Sequence, residues 1–473
     1  MLDRRRFLNS VLKTSAVLAL PVPKFNRAQD APAPRLQLAA ESPVEIPADF
    51  IGLGYEMSSV ATQGLLSITN HRYSELVGGL GAKGVMRVGG ILADYTRYMP
   101  EGPNASEPKN TVIIRANIQE FAAFLKAVGW RAIWSVNFAQ GSMQQAVEEA
   151  RAVSEILGSN LLALELGNEV ENYGKGQPFR TNPYTYEAYR KEFDEWYAAI
   201  VRAVPGARFA GPDTAQSLEW AERMGTDAAG KIQLLTTHYY RNGQRRGSAE
   251  QLLTLDPRLG EIAARMRAAS KQSGIPWRMC EINSFSGGGL PGVSNSFVGS
   301  LWTLNTMLLL AQNGCSGVNM ETGVNQLGFV SSYSPIQDDG KGVNSAGAPY
   351  YGMLAFAQAF SGCHQMLPLQ VGNLAEGVSA YVFGVQGKPR HVVLVNMSSA
   401  DANISLTDIG IRQASVLRLT APAPDSKTGV SFGGAEVDSA GHWKQKSEEK
   451  VNKGSVTVPN MSAAVVRAEN PRH

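Results

Sequence analysis

Between residues 50 and 321 the chain alternates between two hydrophobic textures. Short, densely apolar runs occupy 50–56, 85–90, 134–138, 161–166, 208–212, 234–240, 277–281 and 317–321. Runs of this kind, hydrophobic on both faces, predict strands of a parallel sheet covered on either side. The stretches 118–128, 143–157, 183–204, 260–273 and 297–313 predict helices between them. In the first two and the last, apolar residues recur at three and four spacing, opposite a more polar face. Eight strands alternating with helices over roughly 300 residues is the count and length of a (β/α)8 barrel, an α/β fold.

After Gly347 the pattern changes. Residues 350–360 predict one last helix, and short alternating segments follow at 378–385, 391–397, 414–419, 455–458 and 463–468. Turn residues separate them, which is the pattern of an antiparallel β-sandwich. Residues 36–46 alternate weakly and predict a strand that returns to this sandwich. The expected division is a leader and linker over 1–34, an N-terminal sandwich strand over 35–48, a (β/α)8 catalytic barrel over 49–361 and the C-terminal β-sandwich over 362–473.

Composition adds little beyond exclusions. The net charge of +3 is concentrated at the start, where six basic residues and one acid fall in the first 28, leaving −2 for the rest. Nothing in that balance suggests nucleic acid or an anionic membrane as partner. Cys280, Cys315 and Cys363 cannot build a disulfide framework, and the six histidines show no metal-ligand spacing, so neither a metal nor a cofactor is expected. Arg4-Arg5-Arg6-Phe7-Leu8 followed by the apolar 11–20 is a basic leader with a core too short to span a bilayer. It resembles a twin-arginine signal, implying export of the folded chain to the periplasm or beyond. A short basic amphipathic helix is the alternative reading.

The candidate chemistry lies at two strand ends. Leu166-Gly167-Asn168-Glu169 closes the fourth predicted strand, and Glu281 closes the seventh. In parallel barrels the reacting groups sit at the C-terminal ends of strands, so both acids would face one cleft. Two carboxylates across a cleft can hydrolyse a glycoside, one protonating the leaving oxygen and the other attacking the anomeric carbon. A lone Asn-Glu is also compatible with a turn cap and a solvated acid; the second carboxylate favours chemistry. Asn168 would hold the sugar 2-hydroxyl. Arg87, inside the second strand, needs a carboxylate partner, and Glu281 is the natural one, although any core acid would serve. Tyr239 or Tyr240, at the end of strand six, is placed to donate to Glu281; a packed aromatic rim is the alternative. Strand alternation turns Cys280 away from Glu281, as a small core residue.

Leu166-Gly167-Asn168-Glu169, Thr237-His238-Tyr239-Tyr240-Arg241-Asn242-Gly243 and the run from Glu281 through Ser286-Gly287-Gly288-Gly289 resemble, in that order, motifs of glycoside hydrolase family 79. The resemblance covers the chain from about Phe50 onward, including Arg87-Val88-Gly89-Gly90. That family holds heparanases and β-glucuronidases. The resemblance implies a barrel with a β-sandwich, Glu169 as acid/base, Glu281 as nucleophile, and a glucuronate-containing saccharide as substrate. It also implies that Glu56 binds the distal sugar hydroxyls and that Tyr333 contacts the uronate carboxylate. Gly287 and Gly288 can turn backbone N–H groups toward an anion with no side chain in the way, or simply form a loop of small residues. Ser286 stands where the family commonly has a tyrosine, so one carboxylate contact is in question.

Long connections over 97–110 and 323–347 suggest a covered pocket and exo action on a terminal residue. Against this, Lys175, Arg180, Arg241, Arg245 and Arg246 could line a cleft for sulfated chains cut internally, as in heparanases. A non-catalytic carbohydrate-binding protein on the same fold and a relative acting on neutral sugars such as xylosides complete the alternatives.

Overall fold

The computed structural model describes residues 34–469, apart from 108, 177, 216, 324–330, 340 and 341. The leader read over residues 1–34 therefore lies outside the described residues, Pro34 aside. Eight strands close into a parallel barrel in chain order: β1 (Gly52–Glu56), β2 (Val85–Gly89), β3 (Arg131–Val136), β4 (Leu161–Leu166), β5 (Phe209–Thr214), β6 (Ile232–Gly243), β7 (Trp277–Ser286) and β8 (Val318–Glu321). β8 returns to β1 through the pairs Met320–Leu53 and Glu321–Gly54.

Inside the barrel, side chains sit in two levels. Val85, Ile133, Ala163, Ala210, Leu234 and Cys280 form an apolar layer. Two residues further along their strands, Arg87, Ser135 and Glu165 form a polar layer nearer the C-terminal mouth, fully buried like the layer below. The period-2 geometry of strands stacks the layers this way. Cys280 lies in the barrel interior, which corrects the expectation that it turns away. A register shift between Thr237 and His238, opposite Met279 and Glu281, breaks the simple alternation there.

β6 and β7 run past the barrel mouth as a paired ribbon, through Asn242–Phe285 and Gly243–Ser286. Glu281 thus sits mid-strand and not at a strand end, another correction. Two helices were not legible: His71–Gly79 and Leu218–Asp227 bury only three and four side chains or glycines respectively, too few for a clear apolar stripe. The helix Phe297–Gln312 also departs from the sequence reading. All but Leu309 and Gln312 are buried, because the β-sandwich covers its outer side. Tyr381 there donates to Asn305 at 2.9 Å.

The C-terminal part pairs two sheets, antiparallel except that Arg35–Leu38 runs parallel to Ala402–Ser405. The larger runs Val44–Glu45, Gln365–Leu367, Val378–Val385, Lys388–Asn396, Ser462–Ala468, Ala414–Thr420 and Ser431–Phe432. The smaller contains Leu369–Gly372, Arg35–Leu38, Ala402–Ser405 and Ser455–Val458. The single strand expected over 36–46 is two strands, one in each sheet, divided near Pro43. Alternation in the larger sheet separates its two faces. Val392 and Leu394 pack between the sheets, while Val393 and Val395 join the cluster that includes the barrel helices. Among the described residues no helix is long and apolar enough to cross a membrane.

Candidate active site

At the barrel mouth a cleft of about 470 Å³ is lined by Glu56, Asn168, Glu169, Tyr240, Glu281 and Tyr333, with Ser286, Gly287 and Gly288 on one rim. An oxygen of Glu169, a ring nitrogen of His238 and an oxygen of Glu281 all lie within 4.8 Å of one another. β4 and β7 supply the two acids from opposite sides.

Arg87 organises the floor. Its Nη1 donates to Glu281 Oε2 at 2.8 Å, its Nε to Glu165 Oε2 at 3.2 Å, and its Nη2 to Asn168 Oδ1 at 2.7 Å and to Asp213. Because guanidinium only donates, Asn168 must present its carbonyl to Arg87, leaving its amide N–H groups for the cleft. Tyr240 donates to Glu281 Oε1 at 2.8 Å, so both oxygens of that carboxylate are held.

On the opposite side His238 bridges two acids, with Nε2 2.7 Å from Asp213 Oδ1 and Nδ1 3.3 Å from Glu169 Oε1. Burial opposes a charged imidazole, but the charges of Asp213 and Glu281 outweigh it and hold His238 protonated well above its usual range. Asp213 is itself buried, yet Arg87 and His238 pull its carboxyl down to about 2. Burial and then the like charge of Asp213 push Glu165 up to about 7, against the pull of Arg87. Burial, followed by Glu321 and Glu281, raises Glu56 well above the carboxylate range, although Leu92 N–H donates to it at 2.7 Å.

Backbone geometry fixes Glu169. Its φ of 48° is left-handed, an uncommon setting for a residue with a side chain, and Gly167 before it is left-handed too. The Glu169 N–H donates to the Asp213 carbonyl at 2.9 Å, tying the end of β4 to β5. Across the cleft, Gly287, Gly288 and Gly289 all have φ between 80° and 90°. The Gly288 carbonyl accepts from Ser332 N–H at 2.6 Å, which seats the neighbouring Tyr333 in the cleft.

Among the described residues two groups have metal-compatible spacing, Glu169/His238/Glu281 and Glu165/Asp213/Cys280. Neither donor set suits a cation. Arg87 already places its charge on Glu165, Asp213 and Glu281, and both His238 nitrogens face carboxylates.

Comparison with known proteins agrees with this geometry. Residues 380–465 match the model of the glycosyl hydrolase family 79 C-terminal beta domain. A β-glucuronidase of Aspergillus niger is 24% identical over 421 residues, covering 81% of this chain and 73% of that protein. The chain is a glycoside hydrolase similar to family 79. Solved structures share the fold of this glycoside hydrolase. A 4-O-α-L-rhamnosyl-β-D-glucuronidase from Fusarium oxysporum has a TM-score of 0.75 at 16% identity, covering 92% of this chain and 99% of its own. A family 51 arabinofuranosidase from Xanthomonas axonopodis has a TM-score of 0.65 at 15% identity, covering 92% and 100%.

This glycoside hydrolase brings most of the sequence-named residues together, with exceptions. Tyr239 does not join the cleft; it donates to Asp256 at 2.7 Å, because Tyr240 takes the inward face of β6. Of the basic residues offered as a cleft lining, Arg246 reaches it. Arg241 pairs with Asp256, and Arg180 pairs with Glu192 and stands over Tyr173 and Phe138. Sequence reasoning missed Glu165, Asp213 and His238. Each carried a signal: an acid inside an apolar run, an acid just past Gly211-Pro212 at a strand end, and a histidine two residues before Tyr240, hence on the same face.

Proposed function

We propose that this hydrolase is a retaining exo-β-glucuronidase that removes terminal β-linked glucuronic acid by double displacement. Glu169 and Glu281 approach within 4.8 Å, the observation that carries the reading. Retaining glycosidases hold their carboxyl groups about 5–5.5 Å apart, whereas inverting ones leave room for a water at about 6.5–9.5 Å. Glu281, held through both oxygens, is the nucleophile. Glu169 protonates the leaving oxygen and then activates water. Asn168 meets the 2-hydroxyl and Glu56 the distal hydroxyls. Tyr333 and the N–H groups of Gly287 and Gly288 face the uronate carboxylate. Glucuronate specificity draws on the glucuronidase names of two relatives. Exo action draws on the wall that Glu56 and Ile91 make at one side of the cleft. The basic leader adds export to the periplasm or medium, which fusion of residues 1–34 to a folded reporter would test.

The reading predicts faster hydrolysis of 4-nitrophenyl β-glucuronide than of the matching glucoside, β-glucuronic acid as first product by proton NMR, and monosaccharide released first from defined oligosaccharides. Equal rates on the two chromogenic sugars would defeat the uronate assignment, and an α first product would defeat retention. The second reading, endo action on an acidic polymer, draws on Arg246 and Arg258 at the cleft rim and predicts larger fragments first.

A further inference from the structure

Asp94 and Tyr173 are fully buried polar residues that do not line the cleft, and the proposed function gives them no role. Asp94 lies in the one-turn helix Ile91–Tyr95 that follows β2, and Tyr173 closes the short turn after β4. The Tyr173 hydroxyl donates to Asp94 Oδ1 at 2.5 Å and accepts from the Asn168 N–H at 3.3 Å. A chain of hydrogen bonds therefore runs from the β2 turn, through one phenol, to the peptide that joins Gly167 to Asn168.

The backbone is built around that contact. Gly167 has a φ of 81°, and a side chain there would collide with the Tyr173 hydroxyl. Asn172 N–H and Tyr173 N–H donate back to the carbonyls of Glu169 and Val170 at 2.9 and 3.2 Å, so the chain returns the Tyr173 ring to the residues just before Glu169. Phe138, Phe179 and Tyr184 surround that ring at centroid distances of 6.3, 5.2 and 6.2 Å. Glu169 depends on this scaffold because its own side-chain contacts are long, 3.3 Å to His238 and 3.4 Å to Asn172. Its direction follows from its left-handed backbone, φ 48°, one residue beyond the N–H that Tyr173 holds.

Packing alone does not account for the pair. A phenylalanine would fill the same aromatic cluster, and burying a carboxyl costs free energy that burying a leucine does not. Burial pushes Asp94 well above the usual carboxylate range, against the bond from Tyr173, which favours the neutral acid, an acceptor without a charge. The same turn also holds Glu56, whose Oε2 accepts from Leu92 N–H at 2.7 Å.

We infer that Asp94 and Tyr173 are positioning residues that aim the carboxyl of Glu169 at the leaving oxygen. The inference rests on the proposed acid/base role of Glu169 and adds two residues that act through it. A misaimed acid slows the departure of a poor leaving group far more than that of a good one, which needs little protonation. The readout is therefore the ratio of kcat/KM for methyl β-glucuronide to that for 4-nitrophenyl β-glucuronide, in which any change in folded fraction cancels. Tyr173→Phe, smaller by one oxygen, lowers this ratio about tenfold or more, within the range that misplaced reacting groups cost. Asp94→Leu lowers it likewise, and the double variant falls short of the product of the two, because both break one chain of bonds. Asp94→Asn keeps an uncharged acceptor and holds the ratio within about threefold of wild type. A ratio within about threefold of wild type in Tyr173→Phe or in Asp94→Leu overturns the inference, whether the two activities persist or fall together. Equal losses in Asp94→Asn and Asp94→Leu do the same. Glu169→Gln separates the two levels. If its ratio matches wild type the acid/base reading itself fails, whereas a low ratio there with an unmoved one in Tyr173→Phe removes the role of the pair alone.

Discussion

Asp213→Asn tests whether one buried acid holds both halves of the site. Asp213 accepts from Arg87, which binds Glu281, and from His238, which faces Glu169. Its carboxyl lies at about 2 against an ordinary 3.8. A depressed acid stabilises the fold above the unfolded value, and that stabilisation disappears as pH falls through the folded one. At 1.36 kcal/mol per unit, the shift is worth about 2 kcal/mol at neutral pH, of which about half is gone by pH 3. The asparagine has no such titration. Urea unfolding of the two proteins therefore gives a stability gap that narrows by about 1 kcal/mol between pH 6 and pH 3. At pH 6 the variant also loses kcat/KM on a chromogenic glucuronide by about 100-fold, since small misplacements of reacting groups cost that much. A gap that does not change with pH, or activity within about threefold of wild type, would refute the argument.

Other consequences are equally direct. Glu149, buried and accepting from Trp134 Nε1 at 2.8 Å, is pushed by burial from 4.5 to about 7; its folded form keeps the proton longer, so stability falls as pH rises through that window. Glu149→Gln removes the titration, and its advantage over wild type in urea unfolding should grow by about 3 kcal/mol between pH 4.5 and pH 8. Tyr240→Phe should lower kcat about 10- to 100-fold, the worth of a hydrogen bond to a charged group, with thermal stability nearly kept; Tyr239→Phe should change kcat less than about twofold, because its hydroxyl meets Asp256 outside the cleft. Gly289→Ala places a Cβ 2.8 Å from Tyr333 N on a left-handed backbone; differential scanning fluorimetry should show a loss of about 1–2 kcal/mol or more, with KM for the glucuronide raised.

What the sequence revealed follows from what leaves a periodic trace. Strands packed on both faces are largely apolar, so every barrel strand showed, and Val378–Val385 and Ser455–Val458 matched to the residue. Glu169 showed because Gly167 breaks the strand just before it. Asp213 and His238 did not, since a charge inside a barrel is hard to place until its partners are known, and those partners lie on β2, β5 and β6 and just past the end of β4. The register shift at Thr237 and His238 is invisible in sequence, and it misplaced Cys280. Residues 297–312 misled for a related reason: the sandwich that buries their outer side begins about fifty residues later.

Burial explains why the two proposed catalytic acids differ in setting. Two carboxylates this close repel, and the chain answers with two cations below them. Arg87 and protonated His238 balance Asp213 and Glu281, leaving Glu165 as the acid that titrates near 7. In the proposed retaining mechanism Glu281 gives up its charge on becoming the glycosyl ester, yet Arg87 still bonds Glu165 and Asp213 and is not stranded in the barrel. Stranding a buried ion by removing its partner costs about 3–5 kcal/mol, so the extra acids lower the cost of the covalent intermediate. Glu169 needs the opposite provision. As the proposed acid/base it would release a proton and regain one each cycle, and its side chain is 23% exposed against 10% for Glu281 and 1% for Asp213. The proposed nucleophile is held by bonds on both oxygens, and the proposed acid/base is held mainly by its backbone, leaving its carboxyl within reach of water.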